Sequence, residues 1–376
     1  MTEREAWIAF SAFPFIGPAR FSLLRKFFGS AKKAWKAPVG KYKQIGFSDS
    51  LVNNFENFRK EFDIASYLLR LKRLGVKTIL LEDKDYPELL KKIEDSPRLL
   101  YVRNGESTTH STRSARSGQA SIKGWSEIAV AVVGTRKATA YGKEVAERLV
   151  TGLVDNGVTI VSGLALGIDA IAHRAALDAG GRTIGVLGCG LDQIYPPANR
   201  QLGEKMLSSG QGIIVSEYPL GYPALPQNFP IRNRIVSGLS LGVLVIEGAE
   251  KSGTLLTASN AASQSREVFA VPGPITSPVS KAPHFLLKNG AKLVEKVEDI
   301  LEELNLESRI KNYESRRILP ETKEEEKILE ILEKDSLDID TLVRISGLDT
   351  GKVLGTLTSM ELKGMVKNIG GVYTKV

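Results

Sequence analysis

Asn228-Phe-Pro-Ile-Arg-Asn-Arg-Ile-Val-Ser-Gly-Leu-Ser-Leu-Gly-Val-Leu-Val-Ile-Glu-Gly-Ala-Glu-Lys-Ser-Gly-Thr254 is the stretch whose pattern decides the fold. Its Arg232-Asn233-Arg234 triplet opens a helical turn. The apolar run from Leu241 to Ile246 then reads as a strand buried on both faces, the mark of a parallel sheet. At the carboxyl end of that strand come Glu247 and the small polar turn Lys251-Ser252-Gly253-Thr254, which leads into a helical pattern from Leu255 to Arg266. Ligands of open α/β sheets bind at that end of the strands. Two arginines before the strand and a backbone-rich turn after it predict a site for an anion with several charges.

Working outward, strands are expected at 128–133, 158–161, 183–187, 212–215, 241–246 and 268–271, with helical patterns between them at 140–156, 167–180, 198–208, 232–239 and 255–266. Regular alternation of this kind predicts an α/β fold, a Rossmann-like parallel sheet with helices on both faces, over residues 128–305. Residues 1–104 read as a helical domain, with apolar residues at helical spacing in Ala6 to Phe10, Phe21 to Phe28 and Ile64 to Leu74. Short strands at 78–81 and 99–102 would join this region to the centre. Phe15-Ile-Gly-Pro-Ala-Arg20 is similar to half of a helix-hairpin-helix, with Phe15 where an earlier glycine is usual, and the domain as a whole is SAM/helix-hairpin-helix-like. Both a direct DNA contact and a plain helical bundle with a basic face remain open for it. Residues 105–127, rich in Ser, Thr, Arg and Gly, cannot bury enough surface to offset ordering and are expected to form a mobile insertion. After a charged linker at 306–320, three helical patterns and a hairpin at Gly370-Gly371 predict a winged-helix-like domain over 321–376. The third helix carries only Lys352 and Lys363, so DNA binding and protein interaction are both open there.

Charge placement narrows the function. The chain of 376 residues has a net charge of +8. Residues 1–104 hold 20 Lys+Arg against 12 Asp+Glu, whereas 128–304 hold 16 against 16. A basic field alone therefore does not serve the central domain, which must bind phosphates with a few placed residues. The single cysteine, Cys189, gives no disulfide framework and fits a reducing compartment. No apolar run is long enough for a bilayer, and the start of the chain lacks signal-peptide order, so a cytoplasmic protein with no membrane partner is expected.

Glycine turns follow strands in this pattern. Gly134-Thr135-Arg136 lies where a Rossmann domain holds phosphate, but an arginine replaces the dinucleotide fingerprint. Ser162-Gly163, in Ser162-Gly-Leu-Ala-Leu-Gly-Ile-Asp169, offers a hydroxyl and N–H groups to phosphate, with Asp169 read as a brace and His173 as a packed residue. Phe229, in a loop running from Pro223 to Pro230 beside two arginines, could stack on an unpaired base, while Tyr195 and its prolines would shape the rim. Hydrolase, metal and kinase-like chemistry find no support. There is no Gly-x-Ser-x-Gly elbow, no cluster among the three histidines and no phosphate-binding lysine loop. A binder without cofactor or metal is expected, not an enzyme.

These motifs, in order from Val133-Gly-Thr-Arg through Ser216-Glu-Tyr-Pro and Phe229-Pro-Ile-Arg-Asn-Arg to Val268-Phe-Ala-Val-Pro-Gly, resemble the DNA-processing protein A family (DprA, also called Smf) from about 128 to 294. The resemblance implies a homodimeric cytoplasmic bacterial protein that binds single-stranded DNA during natural transformation, protects it and helps load the RecA recombinase. It also implies a DNA pocket made by Gly134, Thr135, Arg136, Ser162, Gly163, Phe229, Arg232, Asn233, Arg234, Lys251, Ser252, Gly253 and Thr254. Thr135 and Thr254 stand where serine is common, and Pro226-Gln-Asn where a basic residue can precede Phe229. The alternative is a Rossmann-like nucleotide phosphoribohydrolase, whose Pro-Gly-Gly-x-Gly-Thr turn is only loosely echoed by Glu247 and Ser252-Gly-Thr254.

Overall fold

The computed structural model describes residues 1–13, 15–105, 128–306, 320, 322–333, 335–362 and 365–375. The expected insertion and most of the linker fall outside these residues. The chain divides into two compact units, Met1–Arg309 and Ile310–Val376.

In the first unit, six helices come first: α1 (Glu3–Ala12), α2 (Pro18–Phe28), α3 (Ala31–Lys36), α4 (Val39–Gln44), α5 (Asp49–Glu61) and α6 (Ile64–Arg73). Local chemistry sets their ends. Thr2 and Glu5 form a capping box at α1, Pro18 occupies the first turn of α2, and Gly29 closes α2 in the left-handed region. Aromatic packing holds the bundle: Phe10 stacks on Phe55 at 5.3 Å and meets Trp35 edge-on at 5.1 Å.

Strands β1 (Val76–Leu80), β2 (Leu99–Asn104), β3 (Ala129–Val133), β4 (Thr159–Ser162), β5 (Thr183–Leu187), β6 (Gly212–Ser216), β7 (Gly242–Val245), β8 (Glu267–Ala270) and β9 (Lys292–Leu293) form one sheet. Its order is β1-β2-β6-β5-β4-β3-β7-β8-β9. From β6 to β9 all pairings are parallel, while β2 runs antiparallel to β6 and β1 to β2. All five residues of β3 and of β5 are buried, because helices cover both faces. Alternate residues divide between two cores. Ala131, Val133, Val186 and Val243 pack with Ile235, Val236 and Ala258 on one face. Leu99, Tyr101, Leu187 and Ile214 pack with Leu71, Leu177 and Met206 on the other. The covering helices are α7 (Glu88–Lys91), α8 (Ala140–Asp155), α9 (Ile168–Asp178), α10 (Arg200–Ser208), α11 (Asn228–Gly238), α12 (Gly253–Ser263), α13 (Lys281–Lys288) and α14 (Glu298–Glu303).

One element differs in a way that matters. The helix expected at 232–239 begins at Asn228, so Phe229 and Pro230 lie on its first turn and not in a loop. Pro230 is tolerated there because first-turn N–H groups have no intrahelical partner to lose. The two-residue strand β9 was too short to read from sequence.

The described residues of the second unit form three helices, Lys323–Leu332, Ile339–Ser346 and Thr350–Leu362, and a three-stranded sheet of β10 (Leu337–Asp338), β12 (Val372–Lys375) and β11 (Val366–Ile369) in that order. Gly370 and Gly371, both at positive φ, make the hairpin turn. Ile328, Leu342, Val353, Leu357 and Met360 form its own core. This is a winged-helix arrangement.

Candidate functional site

The chain runs β3, β4, β5, β6 outward on one side, then returns to place β7 on the other side of β3. The strand order reverses there, and the crevice at the carboxyl ends of β3 and β7 is the topological switch point. A cleft of about 530 Å³ occupies it, lined among others by Gly134, Thr135, Arg136, Gly163, Phe229, Arg232, Asn233, Ser252, Gly253 and Thr254.

Backbone ties hold the loops at this crevice. Thr135 N donates to Glu247 O at 2.8 Å and Ile168 N to Thr135 O at 3.1 Å, locking the turn after β3 to those after β7 and β4. Gly167, at φ +74°, is needed for this closeness, since a Cβ there would lie 2.2 Å from Thr135 O. Opposite, α12 begins with Ser252 as its cap, whose Oγ accepts from Thr254 N at 3.2 Å and from Thr254 Oγ1 at 2.7 Å. The helix amino terminus therefore faces the cleft, a position that favours negative charge.

The floor holds two buried charged groups. Arg232, 4 % exposed, donates from Nη1 to Gly163 O at 2.5 Å and to Val186 O. Asp169 accepts from Gly163 N at 3.0 Å and Ala165 N at 3.4 Å. Burial pushes the Asp169 carboxyl up, and the Arg232 guanidinium beside it pulls it back. Gly163 makes room for that guanidinium, because a Cβ would sit 2.5 Å from Nη2.

Above the floor stand aromatics and an exposed cation. Phe229 and Tyr195 stack with centroids 5.5 Å apart at 29°. The guanidinium carbons of Arg136 and Arg232 lie 5.8 and 6.0 Å from the Phe229 centroid, within cation–π range. Arg136 is exposed. Among the described residues no ion pair engages Arg136, whereas Arg232 is buried beside Asp169 and spends Nη1 on backbone carbonyls, so Arg136 is the cation open to an incoming anion.

Three expected residues sit elsewhere. Ser162 is fully buried and spends its Oγ on Val132 O at 2.7 Å. The N–H groups of Gly163 and Ala165 behind it go to Asp169, so these two donors brace the turn and are not free for a phosphate. Arg234 points away. Residues two apart on a helix project about 200° apart, so Arg234 leaves the side of α11 that Arg232 occupies and pairs with Glu217 at 2.6 Å and Asp95 at 2.8 Å. Lys251 is exposed and lies outside the lining. Sequence reasoning passed over Leu256 and Thr257, which also line the cleft. Leu256 follows the helical period of α12 and is nonetheless 48 % exposed. No sequence signal separates it from a core leucine.

Groups that an enzyme would use are otherwise engaged. Glu247 caps α8, accepting from Thr139 N at 3.0 Å and from Thr139 Oγ1. His173 is buried, its Nδ1 2.6 Å from Thr183 Oγ1; since that hydroxyl donates to Ile160 O, Nδ1 carries the proton. Burial depresses its pKa to about 3. Among the described residues no group of three or more His, Cys, Asp and Glu is placed to hold a metal, and no helix is long and apolar enough to cross a membrane.

A family model for DNA recombination-mediator protein A matches residues 77–305. The chain belongs to this family. A second model, the DprA winged helix domain, matches residues 314–371. Protein Smf of Synechocystis sp. is 33 % identical over 407 residues, spanning 99 % of this chain and 98 % of that one. The X-ray structure of DNA processing protein A from Streptococcus pneumoniae superposes with a TM-score of 0.65 at 32 % identity, covering 81 % of this chain and 98 % of that chain. A Helicobacter pylori DNA processing protein A, whose structure concerns its single-stranded DNA binding mode, gives a TM-score of 0.50 at 28 % identity over 62 % of this chain and 96 % of that chain. The α/β fold, the helical amino-terminal region and the winged-helix domain are those of the DprA family.

Proposed function

We propose that this chain binds single-stranded DNA in the switch-point cleft, protects strands taken up in natural transformation, and helps load a RecA-type recombinase on them, acting as a cytoplasmic homodimer without catalysis of its own. The observation that carries the DNA reading is Arg136. It is an exposed cation poised over the stacked Phe229 and Tyr195 rings, facing a helix amino terminus across the cleft. Phosphate takes the cation and the helix end, and an unpaired base takes the aromatic face, which every base can do. Likeness to the Helicobacter pylori protein, whose single-stranded DNA binding is described, supports the same reading.

The phosphoribohydrolase reading finds less support, because it needs a carboxylate free to meet the sugar. Glu247 is committed to Thr139, and Asp169 to Gly163 and Ala165. The deciding experiment is fluorescence anisotropy with a labelled oligothymidine, with duplex and mononucleotide as competitors, alongside an assay for release of free base. Salt-sensitive binding that single strands compete best is expected. Base release from a mononucleotide, with no strand binding, would replace the proposal with the hydrolase.

A further inference from the structure

Helix α11 is a wall shared by two clefts. Phe229, Arg232 and Asn233 line the first; Asn228, Ile231 and Arg234 line a second, of about 330 Å³, on its other side. This second space lies between the α1–α2 turn, at Ile16 and Gly17, and the segment after β6. On that segment Tyr218 and Tyr222 stack with centroids 4.8 Å apart at 21°. Between the clefts the first turn of α11 is open to solvent: Pro230 is exposed and Ile231 is 48 % exposed.

Charge continues the path. Residues 18–47 contain eight Lys+Arg and no Asp or Glu. On α2, which starts at the second cleft, the exposed residues Arg20, Leu23, Lys26 and Phe27 recur at helical spacing and make one stripe of alternating cation and apolar surface. The acidic groups beside it are matched. Glu82 pairs with Arg25 and Arg98, Glu3 accepts from Ser30, Ala31 and Lys32, and Glu217 pairs with Arg234. No side chain caps the amino terminus of α2, which leaves its first-turn N–H groups open.

We propose that the second cleft and the α2 stripe form a second subsite for the same DNA strand, which leaves the first cleft over Pro230 and Ile231, stacks a base against the Tyr218–Tyr222 pair, and lays its phosphates along Arg20 and Lys26. The inference rests on single-stranded DNA binding in the first cleft. A strand fits this surface because stacked aromatic faces line the cleft that shares α11 with the first site, and exposed cations stand on α2, which starts at that cleft, with Arg20 held by Phe15 O at 2.7 Å; aromatic faces beside cations are what single-strand grooves share.

Two labelled oligothymidines, of about 6 and about 20 nucleotides, would be titrated against the full chain, an Arg20→Gln/Lys26→Gln double variant and Tyr222→Ala over a salt series. In the double variant the long probe should bind roughly tenfold more weakly at ~0.15 M salt, with a log–log salt slope flatter by about 1.4, the value for two phosphates. Tyr222→Ala should weaken it about tenfold through lost stacking. The short probe should be held as by the parent chain. Unchanged binding of the long probe overturns the second subsite and leaves the first intact, and so does an equal loss on both probes, which would mean a disturbed first cleft. A parent chain that binds neither probe removes the underlying DNA reading and this one with it.

Discussion

Arg136 and Arg234 looked alike in sequence and are opposites in space. Arg136 is exposed at the cleft, whereas Arg234 is 7 % exposed and bridges Glu217 and Asp95. Removing one partner of a buried ion pair strands the other charge, at a cost of about 3 kcal/mol. Arg234→Ala should therefore lower the urea midpoint of the first unit, while the first cleft's hold on a short oligothymidine stays that of the parent wherever the protein remains folded. Gly163→Ala tests the floor: its methyl would displace the Arg232 guanidinium, and DNA binding should weaken by more than the exposed Lys251→Ala does in the same anisotropy assay. His173 sets a pH dependence. Its folded pKa, about 3, lies below the usual 6.5, so the unfolded chain binds the proton more tightly. Stability should be lost as pH falls below about 6.5, by roughly 2 kcal/mol at pH ~5. Denaturation at pH 7 and 5 checks this: His173→Gln should show a smaller fall between the two, and an equal fall would assign the dependence to other groups.

At the level of elements, α11 joins fold and site. Its amino-terminal turn carries Phe229, its middle carries Arg232, and Asn228 anchors it by donating to Gly188 O at 2.9 Å. Phe229→Ala should weaken oligothymidine binding by about 1–3 kcal/mol, the worth of one stacked base, with little change in salt slope, whereas Phe229→Tyr should retain most of it. Parallel strands were legible because they are short apolar runs between glycine turns, and the carboxyl-end turns that line the cleft were legible for the same reason. What failed was direction. A triplet such as Arg232-Asn233-Arg234 shows composition, but only the start of the helix and its phase decide which arginine meets the cleft, and Pro230 hid that start. Ser162 failed differently: a hydroxyl at a strand end is equally suited to a ligand or to the neighbouring carbonyl, and Val132 O took it.

For the whole molecule, the two units each have a core of their own. A chain ending at residue 309 should therefore fold cooperatively and bind oligothymidine within a few-fold of the full chain, as measured by anisotropy; a loss of a hundredfold would assign the winged-helix unit a share of the DNA site. The central claim is that a few placed residues at the switch point hold the strand. The most direct test is the salt dependence of oligothymidine affinity for the parent chain, Arg136→Ala and Arg234→Ala. The account predicts a log–log slope flatter by about 0.7, one phosphate's share, for Arg136→Ala and the parent slope for Arg234→Ala. A parent slope for Arg136→Ala with a flattened one for Arg234→Ala would take the phosphate grip away from the switch point and contradict the account.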